Sequence, residues 1–207
     1  MFFKETIRRF KQDPKGAICS KLGALNNKIT ICVSTLVCKF TMCFKGITYG
    51  ANFQARGVAY FFRSIGSKII IGDNATFISS SRFNYRGLNH KCILQTSSNG
   101  NIRIGNNCGF SGVSIVSSIG VEIGDNVMCG ANVMIGDRND HEDKYPQFQP
   151  EKIRIQDNVW IGMNCVIMKG VTIGENSRIG ANSIVTKDIP ANSIAVGNPC
   201  RVIKNRE

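Results

Sequence analysis

The stretch IQDNVW IGMNCV IMKGVT IGENSR IGANSI VTKDIP ANSIAV, residues 155–196, divides into seven groups of six residues. An aliphatic residue opens every group, and a small or β-branched residue holds the fifth position of each. A period of six fits neither the 3.6-residue helix nor the two-residue alternation of an isolated strand. It is typical of a parallel β-helix, in which about three hexads make one turn and short strands stack coil on coil.

The position within each hexad predicts where a side chain points. We expect the first and fifth positions to face inward and to stack on their counterparts in the next coil, because one coil cannot bury its own inner face. Gly after the first residue, or Asn at the fourth position, is expected to supply the left-handed backbone of each corner. The first positions are Ile155, Ile161, Ile167, Ile173, Ile179, Val185 and Ala191, and the fifth are Val159, Cys165, Val171, Ser177, Ser183, Ile189 and Ala195.

The repeat extends upstream with interruptions. Residues 52–66 and 80–100 are degenerate in this pattern. Seven residues from Val116 to Glu122 stand where six would fit, which predicts a bulged corner. Recognisable hexads open at Ile47, Ile71, Ile104, Phe110, Ile123 and Cys129.

One interruption is long enough to predict a loop. Ile135 and Ile155 lie 20 positions apart, two more than three hexads require, and the residues between them are polar and include two prolines. We therefore expect residues 136–152 to leave the coil wall. Loops carried by a rigid scaffold are where functional residues concentrate, and this one contains His141, one of only two histidines in the chain.

The amino-terminal residues differ in character, which predicts an appendage over residues 1–45 and a β-helix domain over residues 46–207. The first 15 residues are basic and amphipathic, and the apolar run Ile29–Phe44 is shorter than a membrane span and carries Lys39. Two interpretations stay open for this appendage. It is either a helical cap on the first coil or a basic amphipathic surface that rests on an anionic membrane.

The composition of the chain limits the classes of partner that we expect it to bind. The net charge of +12 favours an anionic partner, but the chain has no dense Lys/Arg run and no nucleic-acid motif, so we expect no nucleic-acid binding. Nine cysteines without metal-ligand spacing indicate a reducing compartment and no metal requirement. With no cleavable signal pattern, we expect a cytoplasmic location, with peripheral contact to the inner face of the membrane as an open possibility.

Four phrases carry a resemblance to a known family: NVWIG (158–162), KGVTIG (169–174), IVTKDIP (184–190) and GNPCRVI (197–203). With them the chain resembles the hexapeptide-repeat acyltransferases, in particular the galactoside and maltose O-acetyltransferases and the O-acetyltransferases of polysaccharide biosynthesis. The resemblance is close over residues 101–204 and loose over residues 46–100. It implies a left-handed parallel β-helix, a homotrimer with active sites between subunits, and acetyl transfer from acetyl-CoA to a hydroxyl of a sugar or glycan precursor.

The resemblance also implies residue roles. His141 sits where the family's loop histidine acts as general base, and imidazole suits that role because its pKa lies near neutrality. Asp140, Glu142 or a backbone carbonyl could orient the ring, and Asp140 and Ser111 are candidates for contact with the acceptor. His90 matches nothing in the family pattern. The residues expected to line the acetyl-CoA site are Trp160, Met163, Ala181, Thr186, Lys187, Arg201 and Lys204, where Met163 replaces the Ser or Ala common in related enzymes.

Other functions are known for proteins with the same kind of repeat, and they are alternatives for this chain. An N-acetyltransferase of an amino sugar, or a serine or antibiotic O-acetyltransferase, shares the carboxy-terminal phrase. A γ-class carbonic anhydrase needs three histidine ligands for zinc, and this chain has two histidines. A scaffold without activity is the fourth alternative. The identity of the acceptor is not encoded in the repeat.

Overall fold

The computed structural model describes residues 12–138 and 149–205, and this part of the chain forms one long helix followed by twenty short strands. The helix α1 is Pro14–Phe44, and a 3-10 turn covers Ser81–Phe83. The strands are β1 (Thr48–Tyr49), β2 (Gln54–Arg56), β3 (Tyr60–Phe62), β4 (Lys68–Ile71), β5 (Thr76–Ile78), β6 (Ile93–Thr96), β7 (Asn101–Ile104), β8 (Gly109–Ser111), β9 (Ser114–Ser117), β10 (Val121–Ile123), β11 (Met128–Ala131), β12 (Met134–Gly136), β13 (Ile153–Ile155), β14 (Trp160–Ile161), β15 (Val166–Ile167), β16 (Thr172–Ile173), β17 (Arg178–Ile179), β18 (Ile184–Val185), β19 (Ser193–Val196) and β20 (Arg201–Asn205).

As far as β18, each strand pairs with the third strand after it in the chain, so the three sheets form the sides of a prism. Sheet A has the order β1-β4-β7-β10-β13-β16, sheet B β2-β5-β8-β11-β14-β17-β19-β20, and sheet C β3-β6-β9-β12-β15-β18. All pairs are parallel except that of β19 with β20, which is antiparallel. The left-handed parallel β-helix predicted from the sequence is confirmed.

The core is a set of stacked columns. Ile155 pairs with Ile173, Ile161 with Ile179, and the corresponding column of sheet C joins Ile135, Ile167 and Val185. The amino-terminal coils replace the aliphatic residues with aromatic ones, and the rings of Phe77 and Phe110 stack 5.0 Å apart. The fifth-position residues are buried as predicted, including Ser177 and Ser183.

Asparagine, and not the second-position glycine, provides the left-handed corners. Ten asparagines have φ between 55 and 60°, among them the fourth-position residues Asn158, Asn164, Asn176 and Asn182. Seven of them form a ladder at the corner between sheets A and B, in which each side-chain amide donates to the side-chain oxygen of the next asparagine at 2.8–3.1 Å. The ladder runs through Asn52, Asn74, Asn107, Asn126, Asn158, Asn176 and Asn192.

The second-position glycines have a steric role instead. A Cβ on Gly162 would stand 2.5 Å from the amide nitrogen of Ala181, and one on Gly174 would stand 2.2 Å from that of Ala191. Neither glycine has a positive φ. These positions are therefore closed to side chains because the next coil passes directly against them.

The predicted register is wrong at both ends of the coil. Ile189 lies next to Ile173 and Ala195 next to Ile179, 16 positions apart in place of 18, so the last coil is two residues short and Ala191 is exposed. At the other end Tyr49, and not Ile47, pairs with Ile71. Both segments offer apolar residues at alternate positions, so the hexad pattern alone does not fix the frame.

The carboxy-terminal third of α1 covers the open end of the first coil. Its buried residues are Ser34, Cys38 and Met42. The Thr35 hydroxyl accepts a hydrogen bond from the amide of Ala55 at 2.9 Å and donates to its carbonyl at 3.3 Å. The free edge of β2 is thus paired with side chains of α1, because no further strand of the described residues lies beyond it.

The close approach of neighbouring coils predicts a steep penalty for one methyl group. Gly174→Ala should lower the free energy of unfolding by about 2–3 kcal/mol, because the clash is with backbone that can move only if the coils separate. Gly23→Ala is the matched control, since a Cβ there meets nothing within 4 Å and alanine favours the helix by about 0.5–1 kcal/mol. Thermal denaturation of both variants measures the difference. Equal melting temperatures would contradict the steric role.

Candidate functional site

The long loop leaves the prism at the corner between sheets C and A, and its two ends are held together. The amide of Glu151 donates to the carbonyl of Asp137 at 2.9 Å. Lys169 on the next coil donates to the carbonyl of Gln149 at 2.5 Å and lies 3.9 Å from the carboxylate of Glu151. The two ends of the loop, which together form the loop base, are therefore both fixed to the coil wall.

Asp137 is the anchor of this corner. It is fully buried, and its carboxylate accepts hydrogen bonds from the amides of Ser118, Ile119 and Gly120 at 2.6–2.9 Å and from the Ser117 hydroxyl at 2.9 Å. These amides lie in the predicted bulged corner. Its first inward residue is Ile115, which pairs with Ile135, and not the predicted Val116, so eight residues and not seven precede Ile123. The carboxylate of Asp137 thus binds the amides of the bulged corner in one coil, and the backbone of Asp137 begins the loop of the next coil.

A second insertion lies at the corner between sheets B and C. The segment from Ser80 to Lys91 connects β5 to β6 and passes over the column of corner residues below it. The side-chain amide of Asn132 donates to the carbonyl of Gly87 at 3.0 Å, and its oxygen accepts from the amide of Asn89 at 2.9 Å. Asn132 also donates to Asn164 at 3.2 Å, so the insertion rests on a second asparagine ladder.

The predicted acetyl-CoA residues fall into three groups. Met163 and Ala181 occupy the same position of consecutive coils at the corner between sheets B and C. Thr186 and Lys187 are exposed at the corner between sheets C and A, two coils below the loop base. The third group lies in sheet B, where strand β14 carries Trp160 and strand β20 carries Arg201 and Lys204.

Sheet B connects Trp160 to the basic carboxy-terminal strand. Trp160 is 45% exposed and pairs with Arg178, which pairs with Ile194, which pairs with Lys204. Three strand spacings of about 4.8 Å put the backbone positions of Trp160 and Lys204 roughly 14 Å apart across the sheet. The indole and the cationic strand therefore belong to one surface, adjacent to Met163 at its edge.

A single protomer does not bring all predicted residues together. Ala181 and Thr186 are separated by one side of the prism, about 16 Å of extended chain. Ser111, nearly buried at the end of β8, lies with Met163 at the corner between sheets B and C, and His90 in the nearby insertion is exposed with its Nδ1 2.8 Å from the carbonyl of Lys91. His141 and Asp140 lie outside the described residues.

The cysteines of the coil are not suited to nucleophilic chemistry. Burial raises the pKa of Cys129, and it raises that of Cys108 to about 11. A thiol with a raised pKa carries little thiolate at neutral pH. Among the described residues, no group of three or more His, Cys, Asp or Glu side chains is placed to hold a metal ion.

Sequence reasoning missed Asp137 and Asn132 as organising residues. Asp137 follows the last regular hexad before the loop, and a bulged corner with free amides signals the need for a nearby acceptor. Asn132 occupies the fourth position of its hexad, where the repeat alone accounts for it. Its role in holding the insertion depends on a contact 43 positions away in the chain, which no local pattern predicts.

Comparison with known proteins places this geometry in context. A family model described as bacterial transferase hexapeptide (six repeats) matches residues 152–187. Galactoside O-acetyltransferase of Escherichia coli (strain K12) is 50% identical over 110 residues, which are 50% of this chain and 54% of that protein. The galactoside O-acetyltransferase of Lactococcus lactis subsp. lactis (strain IL1403) is 40% identical over 95 residues, 44% of this chain and 45% of that protein.

The chain thus spans about half the length of the curated relatives it matches. A solved structure of AntD, an N-acyltransferase from Bacillus cereus in complex with dTDP and 3-hydroxybutyryl-CoA, has a TM-score of 0.63 at 20% identity and covers 82% of this chain and 88% of that one. At that identity the similarity concerns the fold alone. The resemblance to hexapeptide-repeat acyltransferases is confirmed.

The contacts of Asn132 predict that one substitution loosens the insertion without opening the corner. Asn132→Gly keeps a residue that tolerates φ of 60° but removes the bonds to Gly87 and Asn89. We expect amide hydrogen exchange across residues 84–91 to accelerate by about tenfold or more, since these bonds hold an otherwise exposed segment. Asn126→Gly, at φ 57° in the other ladder, is the control and should leave that segment unchanged. Unaltered exchange in Asn132→Gly would show that other contacts hold the insertion.

Proposed function

Starting from the confirmed resemblance to hexapeptide-repeat acyltransferases, we propose that this protein transfers an acetyl group from acetyl-CoA to a hydroxyl of a sugar or glycan precursor. The observation that carries the proposal is the 50% identity over 110 residues to a galactoside O-acetyltransferase. The geometry supports it because the predicted donor residues lie at exposed corners and edges of a rigid prism. A flexible pantetheine arm can reach such corners without entering the core.

His141 is the proposed general base. Its imidazole takes the proton of the acceptor hydroxyl while the oxygen attacks the carbonyl carbon of the thioester. Backbone amides stabilise the oxyanion of the tetrahedral intermediate, and its collapse breaks the carbon–sulfur bond. The imidazolium returns the proton to the departing sulfur, so coenzyme A leaves as the thiol and the enzyme is unchanged.

The loop base supports this role for His141. Asp137 is fixed by four hydrogen bonds, and His141 follows it by four residues, within roughly 14 Å of the anchor. General-base catalysis requires the imidazole within hydrogen-bond reach of the hydroxyl, so a rigid loop base lowers the entropic cost of holding it there. No covalent acetyl-enzyme is needed, because the thioester is already activated, and the raised pKa of the coil cysteines agrees with this.

The active site is proposed to form between subunits of a homotrimer. The loop base and the Met163–Ala181 corner lie at opposite edges of sheet C, so the loop of one protomer can meet that corner in its neighbour. The outer face of sheet C suits an interface, because its carboxy-terminal half is an apolar column. Met134 on that face is 51% exposed and pairs with Val166, which pairs with Ile184.

The phosphates of the donor are proposed to bind at strand β20. Arg201 and Lys204 lie on this strand, whose five residues are all exposed, and Lys or Arg can pair with phosphate oxygens. Trp160 lies on the same face, between the cationic strand and the corner of Met163. Parallel assays with hydroxyl and amine acceptors separate the proposed O-acetylation from N-acetylation of an amino sugar and from serine or antibiotic acetylation.

A shared active site predicts a trimer in solution. Static light scattering of the purified chain should give about three times the mass of the 22.7 kDa protomer at micromolar concentration. Met134→Lys, which puts a charge on the proposed interface, should shift the mass toward the monomer and lower activity together. Met128→Lys on sheet B is the control for the mass alone, since Met128 is exposed to a similar extent at 49% but pairs with Trp160 of the proposed donor site. A fully active monomer would rule out the shared site.

The base and the phosphate contact predict opposite kinetic signatures. His141→Ala should lower turnover by about 10²–10⁴-fold with the apparent affinity for acetyl-CoA nearly unchanged. Lys204→Ala should raise the Michaelis constant for acetyl-CoA by about tenfold with a smaller effect on turnover, because one charge-assisted hydrogen bond is lost.

His90→Ala and Lys68→Ala are the matched controls, since both residues are exposed and neither belongs to the proposed site. Steady-state coenzyme A release measures all four variants. Wild-type turnover in His141→Ala, or an acetyl group accumulating on a cysteine, would contradict the mechanism and leave His90 as the next candidate base.

A further inference from the structure

The helix α1 carries an exposed apolar stripe along almost its whole length. Its members follow one another at intervals of three or four residues, which places them on one side of a helix with 3.6 residues per turn. Phe40 is 74% exposed and Phe44 84% exposed. The stripe consists of Ile18, Leu22, Leu25, Ile29, Val33, Leu36, Phe40 and Phe44.

The stripe faces away from the β-helix. The buried residues Ser34, Cys38 and Met42 repeat every four positions on the opposite side of α1 and are confined to its carboxy-terminal third. The first 20 residues of α1 contain no buried position. The stripe spans about 39 Å at 1.5 Å per residue, and an apolar surface of that length marks an interaction site on a soluble protein.

The charges of α1 identify the kind of partner. Its sequence contains four lysines and no Asp or Glu. Lys21, Lys28 and Lys39 are spaced by 7 and 11 residues, about two and three turns, so they form one line along the edge of the stripe. Apolar side chains bordered by lysines fit a membrane surface, where the stripe enters the lipid and the ammonium groups meet anionic headgroups.

The same apolar and basic surface continues at the carboxy-terminal end of α1. The ammonium group of Lys45 lies 5.6 Å from the centre of the half-exposed Phe62 ring, and Arg63 donates to the carbonyl of Lys45 at 2.7 Å. Ile65, in the following turn, is 95% exposed. These residues attach the first coil of the β-helix to the end of the stripe.

We propose that α1 is a peripheral membrane anchor that lies flat on an anionic lipid bilayer with the stripe inserted. A second copy of the chain is a poorer occupant, because pairing two stripes would bring the lysine edges of two helices together with no acidic residue on either. This inference is independent of the acetyltransferase function, since none of its residues belongs to the proposed active site.

The helix is long and apolar enough to cross a membrane by length and composition alone. The structure favours the surface orientation instead. Residues from Ser34 onward are held on the first coil, which leaves the 20 residues of 14–33 to span, and Lys21 and Lys28 fall within them. A crossing helix would place these ammonium groups inside the hydrocarbon, where charged side chains are strongly disfavoured.

Flotation of the full chain with lipid vesicles tests the anchor. We expect binding to vesicles of phosphatidylcholine mixed with phosphatidylglycerol, weaker binding at high salt, and little binding to phosphatidylcholine alone. Leu25→Gln/Ile29→Gln removes two stripe residues and should weaken binding on the order of 100-fold. Ser20→Gln/Ala24→Gln introduces the same residues at the same spacing on the opposite face, and should bind as the wild type does.

The contribution of the lysine charges to vesicle binding is tested with Lys28→Gln/Lys39→Gln, and Lys28→Arg/Lys39→Arg is the charge-preserving control. The neutral variant should lose about fivefold in affinity for each lysine, and the arginine variant should bind normally. Circular dichroism and the melting temperature establish that every variant is folded. Vesicles should also slow maleimide labelling of Cys32 and Cys43, exposed thiols close to the stripe.

Several results would overturn the proposal. They are equal binding to neutral and anionic vesicles, unchanged binding of the stripe variant, and resistance of the bound protein to alkaline carbonate, which indicates a spanning helix. A stripe variant that dissociates an oligomer while still floating with vesicles would assign the stripe to a second copy of the chain. Each readout is obtained without measuring acetyl transfer.

Discussion

The distance between neighbouring coils is the constraint on which this structure depends. Parallel strands stand about 4.8 Å apart, and the corners must stack at the same spacing as the sides. Several corners therefore exclude a Cβ at the position that follows the inward aliphatic residue, and these corners have a left-handed residue two positions later. Gly162 and Gly174 satisfy the first requirement, and the asparagines satisfy the second while bonding to one another.

Much of the fold follows from this local rule, and so could be predicted from the sequence. The inward columns, the asparagine corners and the bulge at 116–122 all appear as patterns of residue type at fixed spacing. The errors lie at the two ends and before the bulge, where Ile115 and not Val116 takes the inward position. The short corner before Ile189 removes two residues, and because apolar residues alternate there, Ile189 and Ala195 fit inward positions in either frame. Near Tyr49 the aromatic core replaces the aliphatic signature, so the repeat is present but its frame is obscured.

The candidate site was less accessible to sequence reasoning, for a physical reason. Residue types and coil positions are local properties, and they place Met163, Ala181, Thr186 and Lys187 at corners. Which corners face one another is a property of the assembly. The role of Asp137 depends on free amides 17 to 19 positions earlier in the chain, and a buried carboxylate in a polar loop sequence looks like any other acidic residue. Sequence reasoning therefore names candidate side chains for the chemistry, and it misses support that is provided through the backbone.

The contacts of α1 with the first coil also determine the length of the molecule. A parallel β-helix ends in a rim of unpaired amides, and such a rim is a template on which another chain can add strands and extend a filament. Here the rim is occupied: the Thr35 hydroxyl bonds both backbone groups of Ala55, and the Ser34 hydroxyl accepts from the amide of Gly57 at 3.2 Å. At the far end, β20 turns back antiparallel along β19 and interrupts the stacking direction. Segments of the chain thus cover both ends of the described coil stack, which hinders the addition of strands from another copy in the stacking direction.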